Sequence, residues 1–460
     1  MAEKSNRIDL VEGPIFSNLL RFAIPILFGS IVTQFYNVAD SMIVGRFINS
    51  EALAAVSAST PVVSIINLFS IGLSSGSNVV ISQRVGSRDH EALQRAVSTV
   101  SFLTLFGSML ITLIGLIVSR PLLISLKTPD EILNSASLYL IIVFLGTTGN
   151  LIYQMGNGAL RGMGDVNWPL IFLVICSALN IVFDLVAVLI LGWGVPGVAA
   201  ATAISQLISG IGIIYRLNNG GYGISVGVKY LTVDRYELGE VVRIGLPAAI
   251  QNIGNMLASM FVQASVNTFG ATFIAANSIV TKVDMLLYIP VDALSTALCT
   301  FVGQNMGRLQ LDRIRKGINY SILTLTIMGV GLCSAQILLR HNLPRIFTED
   351  PAVLDIAADG LFIMSFQCLF YGIDRCLVNA MRGAGKSVVP MITAQFGAFS
   401  RIPLSYYLGV KTGDWHGIFW AMLIAAFLRN TAIAVYYFCG GWKRVVRSYE
   451  EKHPELLLRK

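Results

Sequence analysis

Long apolar segments recur along the whole chain, separated by short stretches that carry most of the charged residues. Each segment exceeds the roughly 20 residues that a helix needs to cross the hydrocarbon core of a bilayer. The pattern predicts twelve transmembrane helices, at 15–45, 52–83, 93–119, 131–158, 166–191, 195–217, 239–269, 272–304, 313–339, 352–381, 387–409 and 416–440. We therefore expect an all-α integral membrane protein without a large soluble domain.

The basic residues lie mostly on one side of these predicted helices. With the N-terminus in the cytoplasm, the termini and the even-numbered loops hold 23 of the 33 Lys and Arg residues, and the odd-numbered loops hold six. Lys and Arg are enriched in the cytoplasmic loops of membrane proteins. The asymmetry predicts a multi-pass protein of the cell (inner) membrane with both termini in the cytoplasm.

The second half of the chain repeats landmarks of the first half at a nearly constant spacing. The matched pairs are Pro25 and Pro247, Gln83 and Gln304, Arg161 and Arg382, Pro169 and Pro390, and Gly197 and Gly417, at sequence offsets of 222, 221, 221, 221 and 220. Because six helices is an even number, we expect a parallel repeat with a pseudo-two-fold axis near the membrane normal. We predict two six-helix lobes at 1–217 and 239–441, a cytoplasmic linker at 218–238 and a cytoplasmic tail at 442–460.

Composition agrees with a membrane protein and argues against a nucleic-acid partner. The 460-residue chain is 54% hydrophobic and 13% charged, whereas soluble domains carry about 25% charged residues. Its net charge is +7, but the basic residues lie in short loops between apolar segments. The six cysteines form no CxxC pair and fall within apolar segments, so they predict neither disulfides nor a zinc site.

Two acidic stripes lie in the first half. Tyr36 and Asn37 precede Asp40 by four and three residues, so the three share one face of the first helix. Asn180 and Asp184 share a face of the fifth helix, and no basic residue in the first six helices is available to pair with the acids. Such carboxylates can hold a proton or bind a sodium ion, or they can form structural hydrogen bonds. Because a charge at membrane depth costs about 2.5–3.5 kcal/mol on insertion scales, we favour a functional role.

The second half carries intramembrane charges of both signs. They are Lys282, Asp284, Asp292, Asp374, Arg375, Arg401 and Arg429. Opposite charges at membrane depth can form buried ion pairs, or they can line a cation or substrate site. The sequence leaves both readings open.

Pro25 lies inside the first predicted helix, about four turns before Asp40. A proline within a helix frees a carbonyl group and permits a kink. The kink can be static or can act as a hinge.

Enzyme motifs are present only out of context. Gly72-Leu73-Ser74-Ser75-Gly76 fits the GxSxG pattern of hydrolases, but no strand precedes it, and the four histidines fall in loops or tails. Gly192–Gly197 fits GxGxxG without the strand–turn–helix context. No Walker A sequence occurs, so we expect no direct use of ATP. We also expect no cofactor.

Several segments taken together resemble the multidrug and toxic compound extrusion (MATE) transporters over essentially the whole chain. They are Leu10–Pro14, Pro25, Tyr36–Arg46, Glu51–Val56, Gln83, Leu160–Asp165, Asn180–Asp184, Phe301–Gly307 and Met381–Gly385. The resemblance implies two six-helix lobes around a V-shaped central cavity. It also implies export of cationic or amphiphilic small molecules in exchange for H⁺ or Na⁺. Apart from the resemblance, we expect a monomer.

The resemblance also implies residue roles. The family's first-lobe cation site matches Asp40, Asn180, Asp184 and Thr202, so any Na⁺ would bind among these oxygens. Tyr36, Tyr139 and Asn157 match polar positions lining the first-lobe cavity, and Asn37 lies beside Tyr36. The glutamate that one sodium-driven subgroup carries on the seventh helix is Asn255 here. A second-lobe polar site would therefore have to use Asn255, Asp284, Asp292, Asp374 and Arg375.

Two other functions stay as alternatives to drug antiport. Lipid-linked precursor flippases resemble this fold, but they would need a basic cavity for phosphates, and the first half offers only acids. An intramembrane enzyme would need a catalytic group at membrane depth, for which Ser74 is the candidate.

Overall fold

The computed structural model describes residues 7–47 and 50–452 of the chain. Residues 1–6, 48–49 and 453–460, and with them the end of the predicted tail, lie outside the described residues. Within the described ranges the regular structure is helical and contains no β-strand. This confirms the all-α prediction.

Seven long helices occupy the chain as far as residue 267. They are α1 Ile15–Phe47, α2 Ser50–Ser87, α3 His90–Ser125, α4 Asp130–Gly162, α5 Asn167–Leu185, α6 Gly194–Asn219 and α7 Arg235–Asn267. A π-helical segment, Val186–Ile190, extends α5.

The remaining helices repeat the same order with one additional break. They are α8 Gly270–Gly307, α9 Leu311–Leu339, α10 Pro351–Ser365, α11 Cys368–Gly383, α12 Val388–Ser405, α13 His416–Tyr436 and α14 Trp442–Lys452. Another π-helical segment, Tyr406–Val410, extends α12, as the corresponding segment extends α5. A third, Tyr437–Gly441, joins α13 to α14, and Gly440 takes a positive φ of 95° at the kink there.

The single helix predicted at 352–381 is wrong, because the structure breaks it into α10 and α11, which meet at 51°. Around Gln367 the backbone hydrogen bonds shorten from the α-helical spacing to three residues. Gln367 N donates to Met364 O, and Phe370 N donates to Gln367 O. No proline or glycine lies at the break, so the sequence offered no signal for it.

The helices are long and apolar enough for a multi-pass membrane protein. Within the described part of the chain, nine helices meet the length and hydropathy expected of a membrane span, and the bent pair α10–α11 makes ten. The two others that match predicted spans, α7 and α12, contain several polar residues, including Asn255 in α7 and Arg401 in α12. The twelve predicted helices therefore all occur, one of them broken.

Small residues let α4 approach its neighbours closely. A methyl group added at Gly149 would meet the backbone nitrogen of Leu207 on α6 at 2.8 Å. Gly158 faces the backbone of Ser74 on α2, and the Ser74 hydroxyl donates to Gln154 O at 2.5 Å. Small residues and hydroxyl bonds of this kind hold membrane helices together, where the hydrophobic effect contributes little.

The chain forms two compact units. One comprises residues 1–11 and 24–249, and the other comprises 12–23 and 250–460. The beginning of α7 packs in the first unit because Gly72 and Gly76 of α2 lie directly against Ala249 and Val241. Compact units group segments that pack together, whereas the predicted lobes follow the sequence repeat, so the predicted lobe bounds stay a prediction.

A polar cluster fixes the segment that follows α4. Arg216 Nη2 lies 3.0 Å from Asp165 Oδ2, and the Tyr222 hydroxyl donates to the same oxygen at 2.6 Å. The Arg7 guanidinium lies 4.0 Å from the centre of the Tyr222 ring. Burial, together with the neighbouring Asp165 carboxylate, raises the pKa of Tyr222.

Candidate functional site

The two first-half acids predicted from sequence come together in the first compact unit. Asp40 lies on α1, and Asp184 lies on α5, where it is fully buried. Their carboxyl groups are within hydrogen-bonding reach of each other. The carboxyl groups of the two separate stripes are therefore in contact, as a shared site requires.

The Asn180 amide links Asp184 to α6. An amide's oxygen and nitrogen are told apart by their partners. In the orientation that satisfies both ends, Asn180 Nδ2 donates to Asp184 Oδ2 at 2.9 Å, and Oδ1 accepts from Thr202 Oγ1 at 3.1 Å. One i, i+4 pair on α5 and one hydroxyl on α6 thus fix the Asp184 carboxyl group.

The acidic pair has no basic partner among the residues that the structure describes. Ionised carboxylates only accept hydrogen bonds, so two of them in contact require a proton or a cation between them. Asp40 Oδ1 and Asp184 Oδ1 are buried oxygens without a hydrogen-bond partner in the described chain. The pair therefore offers two oxygen ligands between helices long and apolar enough to span a membrane, which suits a proton or a hard cation.

Two tyrosines border the pair. Tyr36, one turn before Asp40 on α1, has its hydroxyl hydrogen-bonded to the Thr202 side chain. Tyr139 of α4 lies near both carboxyl groups. The structure also brings Cys176 of α5 close to Tyr36. A half-buried cysteine in an apolar run carries no sequence signal for such a position.

The contacts of this cluster do not test three further candidates from sequence. Asn157 follows Tyr139 on α4 by five turns of helix, which places it about 27 Å along the helix axis. Asn37 is an exposed residue of α1. Helix α1 runs without interruption through Pro25. The cavity role of the two asparagines and the hinge role of Pro25 stay predictions.

The charges of the second half form specific ion pairs. Arg375 Nε lies 3.2 Å from Asp292 Oδ1, and the Arg429 guanidinium binds both oxygens of Asp374, with Nε 2.9 Å from Oδ1. Asp374 thus pairs with a residue of α13 and not with its sequence neighbour Arg375. Successive residues of a helix point in different directions, so neighbours in sequence seldom face each other.

Asp284 is held differently, by a chain of hydrogen bonds within the second unit. Gln336 Nε2 donates to Asp284 Oδ1 at 2.9 Å, and the Cys368 thiol donates to Gln336 Oε1 at 3.3 Å. The thiol lies 3.8 Å from the hydroxyl of Tyr288, whose ring stacks on Tyr371 at 4.0 Å between centroids.

This chain of contacts ends at the ion pair of Asp292 and Arg375, because the Tyr371 hydroxyl donates to Asp292 at 3.2 Å. Asn255 of α7 has a buried amide oxygen without a partner in the described chain. The contacts thus connect three of the five residues predicted for a second-lobe polar site, Asp284, Asp292 and Arg375, and a site that uses all five stays a prediction. Gln336 was missed, because it lies far from Asp284 in sequence and no local spacing indicates their contact.

The candidate serine of the hydrolase pattern serves helix packing. Ser74 lies within α2, and its hydroxyl is bonded to a backbone oxygen of α4. A nucleophile elbow needs a strand followed by a sharp turn. The geometry at Ser74 is that of an interhelical hydrogen bond.

Comparison with known proteins supports the sequence resemblance. The family model MatE matches residues 25–186 and again 247–407. The second matched segment begins at Pro247, the repeat partner of Pro25 at which the first one begins, in agreement with the internal repeat. Together the two segments cover more than half of the chain.

The chain is also similar to known proteins over nearly its full length. It is 26% identical over 441 residues to the probable multidrug resistance protein YoeA of Bacillus subtilis, covering 94% of this chain and 95% of YoeA. It is 26% identical over 468 residues to the probable multidrug resistance protein NorM of Thermotoga maritima, covering 96% of each.

A solved MOP superfamily transporter from Pyrococcus furiosus shares the fold, with a TM-score of 0.87 at 23% identity, over 97% of this chain and 99% of that one. Fold, repeat and family model agree. The chain therefore belongs to the MatE family, the family of multidrug and toxic compound extrusion transporters that its motifs resemble.

Proposed function

We propose that this protein is a secondary active antiporter that exports cationic or amphiphilic compounds in exchange for H⁺ or Na⁺. Multidrug resistance proteins among its full-length relatives support the class of cargo. The observation that carries the coupling is the Asp40–Asp184 pair, two acids in contact at membrane depth with no base beside them in the described chain. The coupling ion is transported and is not a resident cofactor.

The mechanism follows from the charge of this pair. When the pair holds one proton, it carries one negative charge and can attract an organic cation. When a second proton or a sodium ion arrives from outside, the site becomes neutral and its attraction for a cationic cargo falls. The ion can drive transport only if it binds the inward-facing and outward-facing states unequally. Pro25, which precedes Asp40 on the same helix, is the proposed point of bending.

The lipid-linked precursor flippase remains the second candidate. It would need basic groups for the phosphates of its cargo, whereas the site on α1, α5 and α6 is acidic. Reconstituted protein would separate the two, because a flippase would move a labelled lipid-linked precursor and an antiporter would move a soluble dye.

The experiment that tests the proposal is dye export under one gradient at a time. Proteoliposomes loaded with a fluorescent organic cation would receive a proton gradient or a sodium gradient, each also collapsed separately by an ionophore selective for that ion. We expect export to stop when one of the two gradients is removed. Export that continues unchanged after either gradient is removed would overturn cation coupling.

We further propose that the protein lies in the inner membrane with both termini in the cytoplasm, as the 23-to-6 partition of basic residues predicts. A reporter that folds only in the cytoplasm, fused after residue 460, should be active. We also propose a monomer, which light scattering of the purified protein would test.

A further inference from the structure

The second compact unit contains a cavity of about 290 Å³. It lies among α7, α8, α10, α12 and α13, and it includes Gln367 at the break before α11. Its size approaches the lower limit of small-molecule pockets, which begin at about 300 Å³. The cavity could hold a compact polar group, although not a whole large drug.

The cavity wall carries an arginine that no acid neutralises. Arg401 of α12 lines the cavity, and within the described chain no carboxylate contacts its guanidinium, whose charged neighbour is Arg429. Arg429 also lines the cavity, but Asp374 already binds it with both carboxylate oxygens. Asp284, the acid on the wall, accepts a hydrogen bond from the neutral Gln336 amide and forms no ion pair with a described base. Arg401 and Asp284 are therefore the two charged groups of the wall that form no ion pair within the described chain, and Arg401 is its unpaired base.

A buried amide on the same wall has an oxygen without a partner in the described chain. Asn277 of α8 is 7% exposed, and its side-chain oxygen has no hydrogen bond to the described residues. Buried polar groups are almost always bonded to protein, water or a ligand. An amide can turn its nitrogen toward an acceptor, so Asn277 can supply a second donor next to Arg401.

The internal repeat places this cavity where the first half has its acidic site. At the offset of 222 that relates Pro25 to Pro247, Asp40 corresponds to Val262, which lines the cavity. At the offset of 221 that relates Pro169 to Pro390, Asn180 corresponds to Arg401.

The helix that follows gives the same result. At the offset of 220 that relates Gly197 to Gly417, Thr202 corresponds to Met422, which also lines the cavity. At the equivalent place the second unit carries Val262 where the first half has Asp40, and Arg401 where it has Asn180. The position that Asn180 holds in the acidic site is thus held by a base, Arg401, in the second unit.

We propose that this cavity binds the anionic group of a ligand, a carboxylate or a phosphate, with Arg401 as its charged partner and Asn277 as an additional donor. Guanidinium groups bind both anions through paired hydrogen bonds. The same chemistry is offered by soluble organic anions and by anionic lipid headgroups. The proposal concerns binding alone and is independent of which ion drives transport.

Thermal unfolding of the purified protein in a neutral detergent tests the binding. Inorganic phosphate and benzoate, each compared with chloride at equal ionic strength, should raise the melting temperature in a saturable manner. Arg401→Gln should weaken the apparent affinity by about tenfold or more, because a charge-assisted bidentate contact is lost. Lys282→Gln is the matched control, because Lys282 is an exposed base of the same unit that lies over Phe347 and does not line the cavity.

Two further variants keep the test decisive if Arg401→Gln does not fold. Arg401→Lys keeps the charge but removes the paired donors of the guanidinium. It should weaken the binding of phosphate and benzoate less than Arg401→Gln does. Asn277→Val should also weaken the binding of both anions, and it leaves every ion pair intact. Equal stabilisation of the wild type, Arg401→Lys and Asn277→Val, or no saturable stabilisation of the wild type by either probe, would overturn a soluble-anion site.

Nanodiscs distinguish the lipid source. If a headgroup is the ligand, nanodiscs with phosphatidylglycerol should stabilise the wild type and Lys282→Gln over phosphatidylcholine nanodiscs, and they should not stabilise Arg401→Gln or Asn277→Val. Stabilisation by phosphate or benzoate alone would assign a soluble anion. The proposal would be refuted if phosphate, benzoate and phosphatidylglycerol all stabilised the Arg401 and Asn277 variants as much as the Lys282→Gln control.

Discussion

Replacing Asp40 with Asn tests the acidic pair most directly. The contact between the Asp40 and Asp184 carboxyl groups requires a proton or a cation between them. Asn has nearly the same size and can donate a hydrogen bond to Asp184, but it cannot ionise. We therefore expect the Asp40→Asn protein to fold and to lose the coupled ion.

The size of the effect follows from the stoichiometry of one pair. If one proton enters for each singly charged dye that leaves, a difference of one pH unit supplies about 1.36 kcal/mol. This free energy supports about a tenfold dye gradient at zero membrane potential. If sodium is the coupling ion, a tenfold sodium gradient sets the same limit. The wild type should approach this ratio, and Asp40→Asn should stay near a ratio of one.

The assay is the steady-state distribution of a fluorescent organic cation across proteoliposomes, with the membrane potential clamped. Asp130→Asn is the matched control, because Asp130 is an exposed carboxylate at the start of α4 in the same compact unit. Circular dichroism and gel filtration would establish that both variants are folded. A folded Asp40→Asn protein that reaches the wild-type ratio would refute the assignment of the coupling site.

Three further predictions concern stability. Arg429→Gln should destabilise the protein by about 3–5 kcal/mol, because it leaves Asp374 buried without its partner, and joint replacement of both residues by apolar ones should recover most of the loss in thermal melts. Gly417→Ala should cost about 1–3 kcal/mol, because its methyl group would collide with the backbone of the preceding π-helical segment, whereas Gly331→Ala meets no neighbour and should be nearly silent. The fold raises the pKa of Tyr222, so its protonated form stabilises the protein fully below the ordinary pKa of about 10. This stabilisation is lost as pH rises through the pKa of the folded state. The difference in melting temperature between wild type and Tyr222→Phe should therefore shrink above about pH 10.

Local patterns predicted the helices well, because a membrane span is defined by a property of consecutive residues. Apolar length located all twelve segments, and the i, i+4 spacing of Asn180 and Asp184 correctly placed both on one face of α5. The break at Gln367 escaped prediction. It arises from a change of hydrogen-bond spacing without a proline or glycine, and its cause lies in packing.

Partners distant in sequence could not be predicted. Asp374 lies beside Arg375 in sequence but binds Arg429 of α13, and Asp284 of α8 binds Gln336 of α9. These contacts depend on which helix faces which, and no spacing in the chain reports that. The acidic pair was an exception because two independent signals agreed, an unpaired acid on each of two helices and a family motif that contains both.

The charges that stay uncompensated distinguish the two halves more clearly than the total charge does. In the second unit Asp292 and Arg375 neutralise each other, as do Asp374 and Arg429. Arg401 and Asp284, both on the cavity wall, form no ion pair in the described chain. In the first unit no base of the described chain neutralises the Asp40–Asp184 pair. An uncompensated charge within the membrane costs about 2.5–3.5 kcal/mol on insertion scales. The internal repeat alone does not explain why one half carries an unpaired acidic pair and the other an unpaired arginine. The cost is offset if each site binds a ligand of the complementary charge, a cation in the first half and an anion in the second.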